Sequence, residues 1–382
     1  MIYFDNAATT LKKPDTVAKA VFEAINSFAN ASRGSYESSL NSERIILETR
    51  ERIVKLFNGY SPNYVAFTSN STEALNTAIK GIINNYQDTH IITTSLEHNS
   101  VLRPLYEMEE LGAEITIIKA NTDGKIDYNE IEKNIKSKTK AIICTHASNV
   151  TGDVLDIDFI GNLCAKHNIL FILDASQSAG SIDIDMKKSN IDIICFTGHK
   201  GLMGPQGTGG LCIKKGIEIK PLKTGGSGIK TYSKTQPENM PTRLEAGTLN
   251  GHSIAGLNAA LKFIDKEGIE KIRKHEKELA NYFYNGIKNI ENIKFYGNYN
   301  TDNRTSIVAL NIGDIDSGKI SDILANEFDI ATRSGGHCAP LMHTSLDTVK
   351  QGIVRFSFSY FNTIDEIEIG INAIKDISKR FL

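Results

Sequence analysis

Short runs of apolar residues, each bounded by polar or turn-forming residues, recur from about residue 60 to 215. They lie at 64–68, 90–94, 114–118, 141–145, 170–174, 191–196 and 210–213. The runs are largely continuous rather than alternating, as expected for strands buried on both faces. Between most of them the apolar spacing turns helical, as over 72–84 and 101–111. Strands joined by helical crossovers form a mostly parallel sheet covered on both sides. The pattern therefore predicts an α/β chain with a seven-stranded large-domain sheet. Ligands of such sheets sit beyond the carboxyl ends of the strands, so the residues just after each run are where chemistry is expected.

The pattern changes near residue 250. Two long helical stretches, 252–267 and 269–290, precede strands near 293–296, 306–312 and 353–357, and a closing helix covers 364–381. This predicts a smaller α+β domain. The expected division is 16–250 for the large domain, with 1–15 and 251–382 forming the small one. The sequence shows no internal repeat.

Composition narrows the function classes. The chain has 382 residues, 40% hydrophobic and 23% charged, with 43 basic against 45 acidic side chains and a net charge of -2. Such a balance, with no long run of one sign, points away from nucleic acid. No apolar stretch approaches the roughly 20 residues of a membrane span. The N-terminus has no basic stretch followed by an apolar one, so a secretory signal is not expected. Five cysteines without a CxxC pair suggest a reducing cytoplasm. Cys144, Cys195 and Cys212 fall in apolar runs and read as core residues.

The segments after the runs carry polar side chains suited to holding a charged ligand. Ser69-Asn70-Ser71-Thr72-Glu73 opens a helix. Its free amides and the hydroxyls of Ser71 and Thr72 suit a phosphate, and Asn70 with Glu73 suits a plain helix cap. His98 follows the second run, placed to lie on an aromatic ligand or to act as a structural hydrogen-bonding group. Asn149 either donates to a ring oxygen or shapes the Asn-Val-Thr-Gly turn. Asp174 ends an apolar run and needs a cationic partner. A protonated pyridine nitrogen fits, and so does a helix-capping role. Lys200, in Thr197-Gly198-His199-Lys200, is placed for Schiff-base chemistry if burial lowers its pKa. The glycine-rich stretch 204–210 opens no helix after a first strand, which argues against a dinucleotide or P-loop fingerprint.

Taken in order, Asp5-Asn6-Ala7-Ala8-Thr9-Thr10, Asn70-Ser71-Thr72-Glu73, Glu97-His98-Asn99-Ser100, Ser148-Asn149-Val150-Thr151-Gly152, Asp174-Ala175-Ser176-Gln177, Gly198-His199-Lys200 and Glu245-Ala246-Gly247-Thr248 form a series. It resembles the class V, fold type I enzymes that use pyridoxal 5'-phosphate (PLP). Within them it resembles the cysteine desulfurase and selenocysteine lyase group. The resemblance implies that Lys200 carries the cofactor as a Schiff base and Asp174 pairs with its pyridine nitrogen. His98 would stack on the ring, and Gln177 and Asn149 would contact its hydroxyl side. Thr72, Thr197 and His199, with the Ser71 amide, would hold the phosphate. Thr248 matches a threonine that completes the partner subunit's phosphate site, which implies a homodimer.

Toward the C-terminus, Arg333-Ser334-Gly335-Gly336-His337-Cys338 resembles the short Arg-x-Gly-x-His-Cys loop of SufS-like desulfurases, in which the cysteine becomes a persulfide. Cys338 would take that role, its thiolate favoured by a cation such as His337 or Arg333. Its other readings are a spectator thiol or a metal ligand with His337 and His343; no metal site is expected. Arg355 sits inside a strand, where a charge needs a partner. A substrate α-carboxylate suits it, and so does an internal salt bridge. Arg333 and Asn149 would also touch substrate. Tyr36, in Arg33-Gly34-Ser35-Tyr36, stands where many desulfurases have histidine, which leaves substrate choice open. The expected activity is removal of sulfur from L-cysteine, with alanine as co-product and a protein or small thiol as sulfur acceptor. Rivals on the same scaffold are selenocysteine lyase, cysteine sulfinate desulfinase and an aminotransferase. A PLP-binding protein without activity is a further alternative.

Overall fold

The computed structural model describes residues 1–29 and 36–381. It opens with β1 (Ile2–Tyr3) and continues into a seven-stranded sheet. That sheet comprises β2 (Val65–Thr68), β3 (His90–Thr94), β4 (Glu114–Ile118), β5 (Thr139–Thr145), β6 (Leu170–Asp174), β7 (Ile193–Thr197) and β8 (Gly209–Ile213). The spatial order is β2-β8-β7-β6-β5-β3-β4, with β8 antiparallel to both neighbours and the other pairs parallel. This is the sheet expected from the apolar runs, with ends shifted by a residue or two.

One shift has a clear cause. The run at 191–196 becomes a strand only from Ile193. The Asp192 carboxylate accepts the Phe171 N–H at 2.9 Å and pairs with Lys214 at 2.9 Å, tying the lead-in down before the ladder begins.

The continuous apolar runs follow from two cores packed on opposite faces. Along β5, Ile142 and Cys144 enter one core while Ala141 and Ile143 enter the other. Along β6, Phe171 and Leu173 face the first and Ile172 the second. This is the strand period of two applied to a sheet covered on both sides. Helices Ser71–Gly81 and Asn99–Glu110 cover one face through Leu75, Ile79, Val101 and Leu105. Helices Glu37–Leu56, Ile157–His167 and Gly251–Glu267 cover the other through Ile53, Ile160, Leu257 and Leu261.

The C-terminal region builds a third core. Strands β9 (Ile293–Tyr296), β10 (Ile307–Ile312) and β12 (Val354–Ser357) form an antiparallel sheet, and β11 (Ile330–Ala331) pairs in parallel with β1. Phe4 packs edge-on to Phe358, with centroids 5.0 Å apart, so the N-terminal strand is fixed into this core. Helix Ile364–Arg380 closes it, started by a capping box between Thr363 and Glu366. Among the described residues no helix is long and apolar enough to cross a membrane.

Candidate active site

The ends of β2, β3, β5, β6 and β7 converge on a cavity of about 210 Å³. Ser71, Thr72 and His98 line it together with Asn149, Asp174 and Gln177. Thr197, His199, Lys200 and Arg333 complete the wall. Ten residues singled out from sequence thus meet in one place. Cys338 does not line this cavity; it lines a second one, of about 340 Å³, which shares Thr72, His98 and Ser100 with the first. Thr248 lies elsewhere, in a cavity of about 810 Å³ beside Arg50 and Glu245. Of Arg33-Gly34-Ser35-Tyr36, the first three lie outside the described residues, and Tyr36 is exposed.

The end of the cavity at β2 is a helix N-terminus. Asn70 caps helix Ser71–Gly81 by accepting the Glu73 N–H at 2.9 Å. Glu73 returns to the Ser69 amide at 2.9 Å, one residue before the cap, so a reciprocal capping box does not form. Burial would raise the Glu73 pKa, but ion pairing with Lys223 and donors from Ser69 bring it below the ordinary value. Its charge beside the open amides is thereby balanced. Gly209 passes directly beneath; a Cβ there would lie 2.7–2.8 Å from Asn70 backbone atoms. The glycine-rich stretch thus serves close approach at the helix start, whose open amides suit an anion.

Asp174 is buried, and its Oδ1 accepts the Ser176 N–H at 2.9 Å and the Ser176 hydroxyl. Lys200 is half-buried on the cavity wall, and desolvation there pulls its pKa down to about 8, with Arg355 and Arg333 adding to the lowering and Asp174 and Asp5 opposing it. At neutral pH an appreciable fraction is therefore free amine, the form that attacks a carbonyl. Thr10 Oγ1 donates to the Lys200 carbonyl at 2.8 Å and fixes the bend.

His98 is oriented by its neighbours. Ser100 N–H donates to Nδ1 at 3.0 Å, and Ser100 Oγ bridges Nδ1 at 2.8 Å and Thr72 Oγ1 at 2.7 Å. The neutral ring therefore carries its proton on Nε2. Burial, then Lys200, lower its pKa to about 4, so the ring is neutral at physiological pH. His199 is lowered to about 4, by burial first and then by Lys200 and Lys13, and bonds Thr9 Oγ1 at 3.0 Å.

Several partners were not singled out from sequence. Glu97 lies fully buried behind His98, accepting from Thr94 Oγ1 at 2.6 Å and from the Thr145 N–H at 3.1 Å. Burial, reinforced by Asp174, raises its pKa to about 8, so the site avoids a second buried negative charge. Ser100 and Ser176 each fix a neighbouring site residue. Their only sequence signal is a hydroxyl two positions after a candidate, the spacing at which a side chain and a nearby backbone amide share bonds.

The Cys338 loop is attached by its backbone. Arg333 and Arg355 pair as an antiparallel bridge, with Arg355 N donating to Arg333 O at 2.8 Å. His337 and Cys338 both occupy the left-handed region, φ 49° and 56°. Asn149 Nδ2 donates to the His337 carbonyl at 2.7 Å, and Asn99 N–H donates to the Cys338 carbonyl at 2.7 Å. Two non-glycine residues in this region are costly, and these two bonds hold them there. Cys338 is exposed, unlike Cys144, Cys164, Cys195 and Cys212, which are all buried.

The structure bears on two expectations. His337 cannot supply the cation for Cys338. Burial, with Arg355 and His343 nearby, lowers its pKa well below the ordinary value, and its ring stacks on His343 at 5.6 Å. Of the two cations expected from sequence Arg333 is left, on the wall of the inner cavity, while Arg103 lines the cavity that holds Cys338. Arg355 is itself occupied: its guanidinium pairs with Asp5 at 2.9 Å and donates to the Asn149 carbonyl at 2.8 Å. Its Nε is buried without a partner, as is Asn149 Oδ1. Among the described residues Arg333 has no carboxylate partner, and it lines the same cavity as Lys200.

Comparison with known proteins matches these features. Residues 2–369 match the family model described as aminotransferase class-V. The chain is 32% identical to a probable cysteine desulfurase of Methanothermobacter thermautotrophicus, over 99% of this chain and 94% of that protein. A solved apo cysteine desulfurase from Thermococcus onnurineus superposes with a TM-score of 0.93 at 30% identity, covering 99% of this chain and 94% of that one. The cysteine desulfurase CsdA of Escherichia coli, solved in an S-sulfonic acid form, gives 0.88 at 25% identity, covering 100% and 95%.

Proposed function

The chain belongs to the class-V aminotransferase family, and from that premise we propose that it is a PLP-dependent L-cysteine desulfurase whose sulfur is carried on Cys338. The supporting observation is one cavity that gathers Lys200, Asp174, His98 and Arg333, with Cys338 on an exposed loop beside it.

The residues fit the cofactor. Lys200 is the amine that would hold it, and Asp174 is the buried carboxylate that would face its ring nitrogen. The amides of helix Ser71–Gly81, with Thr72, Thr197 and His199, suit its phosphate. Asn149 Oδ1, buried without a partner, and Gln177 lie where ring substituents would be met. Gln177 already commits one amide hydrogen to Ala7 O at 3.1 Å, leaving its second hydrogen and its oxygen. When bound, PLP supplies an electron sink that eases removal of the substrate α-proton.

The chain's own groups divide the remaining work. Arg333 receives the substrate carboxylate, assisted by Arg355 beyond it. Lys200, poised near neutrality, takes the α-proton at Nζ. Neutral His98 presents Nε2–H as a donor. Cys338 Sγ attacks the substrate sulfur. The substrate C–S bond breaks with its electron pair left on carbon, which is protonated to give alanine, and Cys338 keeps the sulfur as a persulfide. In this reading residues 16–250 bind the cofactor, while 1–15 and 251–382 bring Arg355 and the Cys338 loop. Thr248, remote from its own chain's cavity, serves the phosphate of a second copy in a homodimer. Five free thiols agree with a reducing, cytoplasmic setting.

The test is alanine and sulfide release from PLP-loaded protein given L-cysteine and a reductant, beside Cys338→Ala. Loss of activity in the variant with cofactor absorbance intact is expected. Undiminished turnover of cysteine by the variant removes the persulfide role, and selective survival with cysteine sulfinate or selenocysteine assigns the enzyme to those substrates.

A further inference from the structure

Cys338 lines a cavity that the cofactor reading leaves unused. It measures about 340 Å³, within the range of small-molecule sites, and lies beyond the His98–Ser100–Thr72 wall of the inner cavity. Its far side is the exposed face of helix Asn99–Glu110. That helix meets the sulfur loop directly, because the Asn99 N–H donates to the Cys338 carbonyl. Arg103 and Glu107 follow at intervals of four residues, and so lie on the same face.

The charges in this bay are unequal. Glu107 is paired with Lys80 at 2.7 Å. Arg103 has no carboxylate partner among the described residues, and its charge reaches the ring of His98 strongly enough to help lower its pKa. The helix N-terminus adds partial positive charge on the same side. The bay therefore favours a small anion at the solvent-facing side of the sulfur carrier, while Arg333 serves the inner cavity.

Resting on the desulfurase reading above, we infer that this bay is the acceptor site, that it takes a small carboxylate-bearing thiol, and that Arg103 holds the carboxylate. The acceptor enters as a thiolate, its proton lost to solvent. Its sulfur attacks the outer sulfur of the Cys338 persulfide, forming a new S–S bond. The bond from Cys338 Sγ to that sulfur breaks, and Cys338 leaves as a thiolate. The transferred sulfur keeps its oxidation state, so no external oxidant or reductant is needed.

The experiment uses holoenzyme loaded once with L-cysteine and freed of excess substrate. Persulfide discharge is followed by mass spectrometry against increasing 3-mercaptopropionate or 2-mercaptoethanol, with rates compared per thiolate. Saturation with 3-mercaptopropionate is expected, with half-saturation raised at least tenfold by Arg103→Glu and largely restored by Arg103→Lys. Discharge by neutral 2-mercaptoethanol should shift less than twofold. Equal shifts with both thiols, no shift with either, or discharge only by a protein thiol would each overturn the assignment. If wild-type protein never forms a persulfide, the desulfurase reading falls and this site falls with it. Normal loading without discrimination between the thiols rejects the acceptor site alone.

Discussion

Lys200 and Cys338 are held in opposite ways. Lys200 follows β7, whose residues are all buried, and it sits among side chains that are themselves bonded. Cys338 is exposed on left-handed backbone, kept in place by bonds to two carbonyls from Asn149 and Asn99. In the proposed mechanism, the group that carries the cofactor follows a buried strand, while the group that passes sulfur on is held at the surface by a few backbone bonds.

Substitution of Lys200 should show the largest effect. Lys200→Ala should lower turnover by more than about 10³-fold, since covalent attachment and proton removal are both lost. Spectra of the loaded variant should lack the band of protein-bound cofactor. Retention of that band would mean another lysine holds PLP.

Next comes the ion pair that joins the chain's ends behind the site. Arg355 is almost fully buried, so Asp5→Ala leaves it uncompensated. Breaking such a pair costs about 3 kcal/mol or more. A shift of the urea midpoint to lower concentration is the expected result. An unchanged midpoint would show that water or Asn149 suffices as partner.

The surface side is probed by Asn149→Ala. It removes the bond to the His337 carbonyl and leaves the strained backbone with one clamp. A net loss of about 1–2 kcal/mol in loop positioning, about tenfold in persulfide formation, follows. Alanine formation under single turnover measures it. If cofactor affinity falls while persulfide formation by the loaded protein does not, Asn149 serves the ring alone.

The mildest test is pH. Lys200 is lowered to about 8, so below that pH the protonated form predominates and the free amine falls about tenfold per unit. Cofactor loading of apoprotein should therefore rise with pH and level off above about 8. A plateau already reached at pH 6 would mean that desolvation, with Arg355 and Arg333, lowers the amine further than about 8.

Legibility from sequence followed the same divide. The strands were readable because burial on both faces forces continuous apolar runs, and their polar ends then mark the site. Helix Glu37–Leu56 was harder. Its buried face includes Arg50, which makes sense only beside Glu245, 195 residues away, at 2.8 Å. Likewise Asp5 is the partner of Arg355, 350 residues apart, and local pattern carries no trace of that pairing. The cationic role expected of His337 failed because burial acts on a side chain through its surroundings, not its neighbours in sequence.

The sequence by itself determined the α/β architecture, the order of the site residues along the strand ends and the cysteine loop. Each is written in local periodicity or in a compact segment. Tertiary structure alone decided which groups are charged, which partners occupy Arg355, and how Cys338 is presented in the outer cavity, across Thr72, His98 and Ser100 from the inner one. Those depend on distance, burial and backbone geometry, which arise only when residues hundreds of positions apart are packed together.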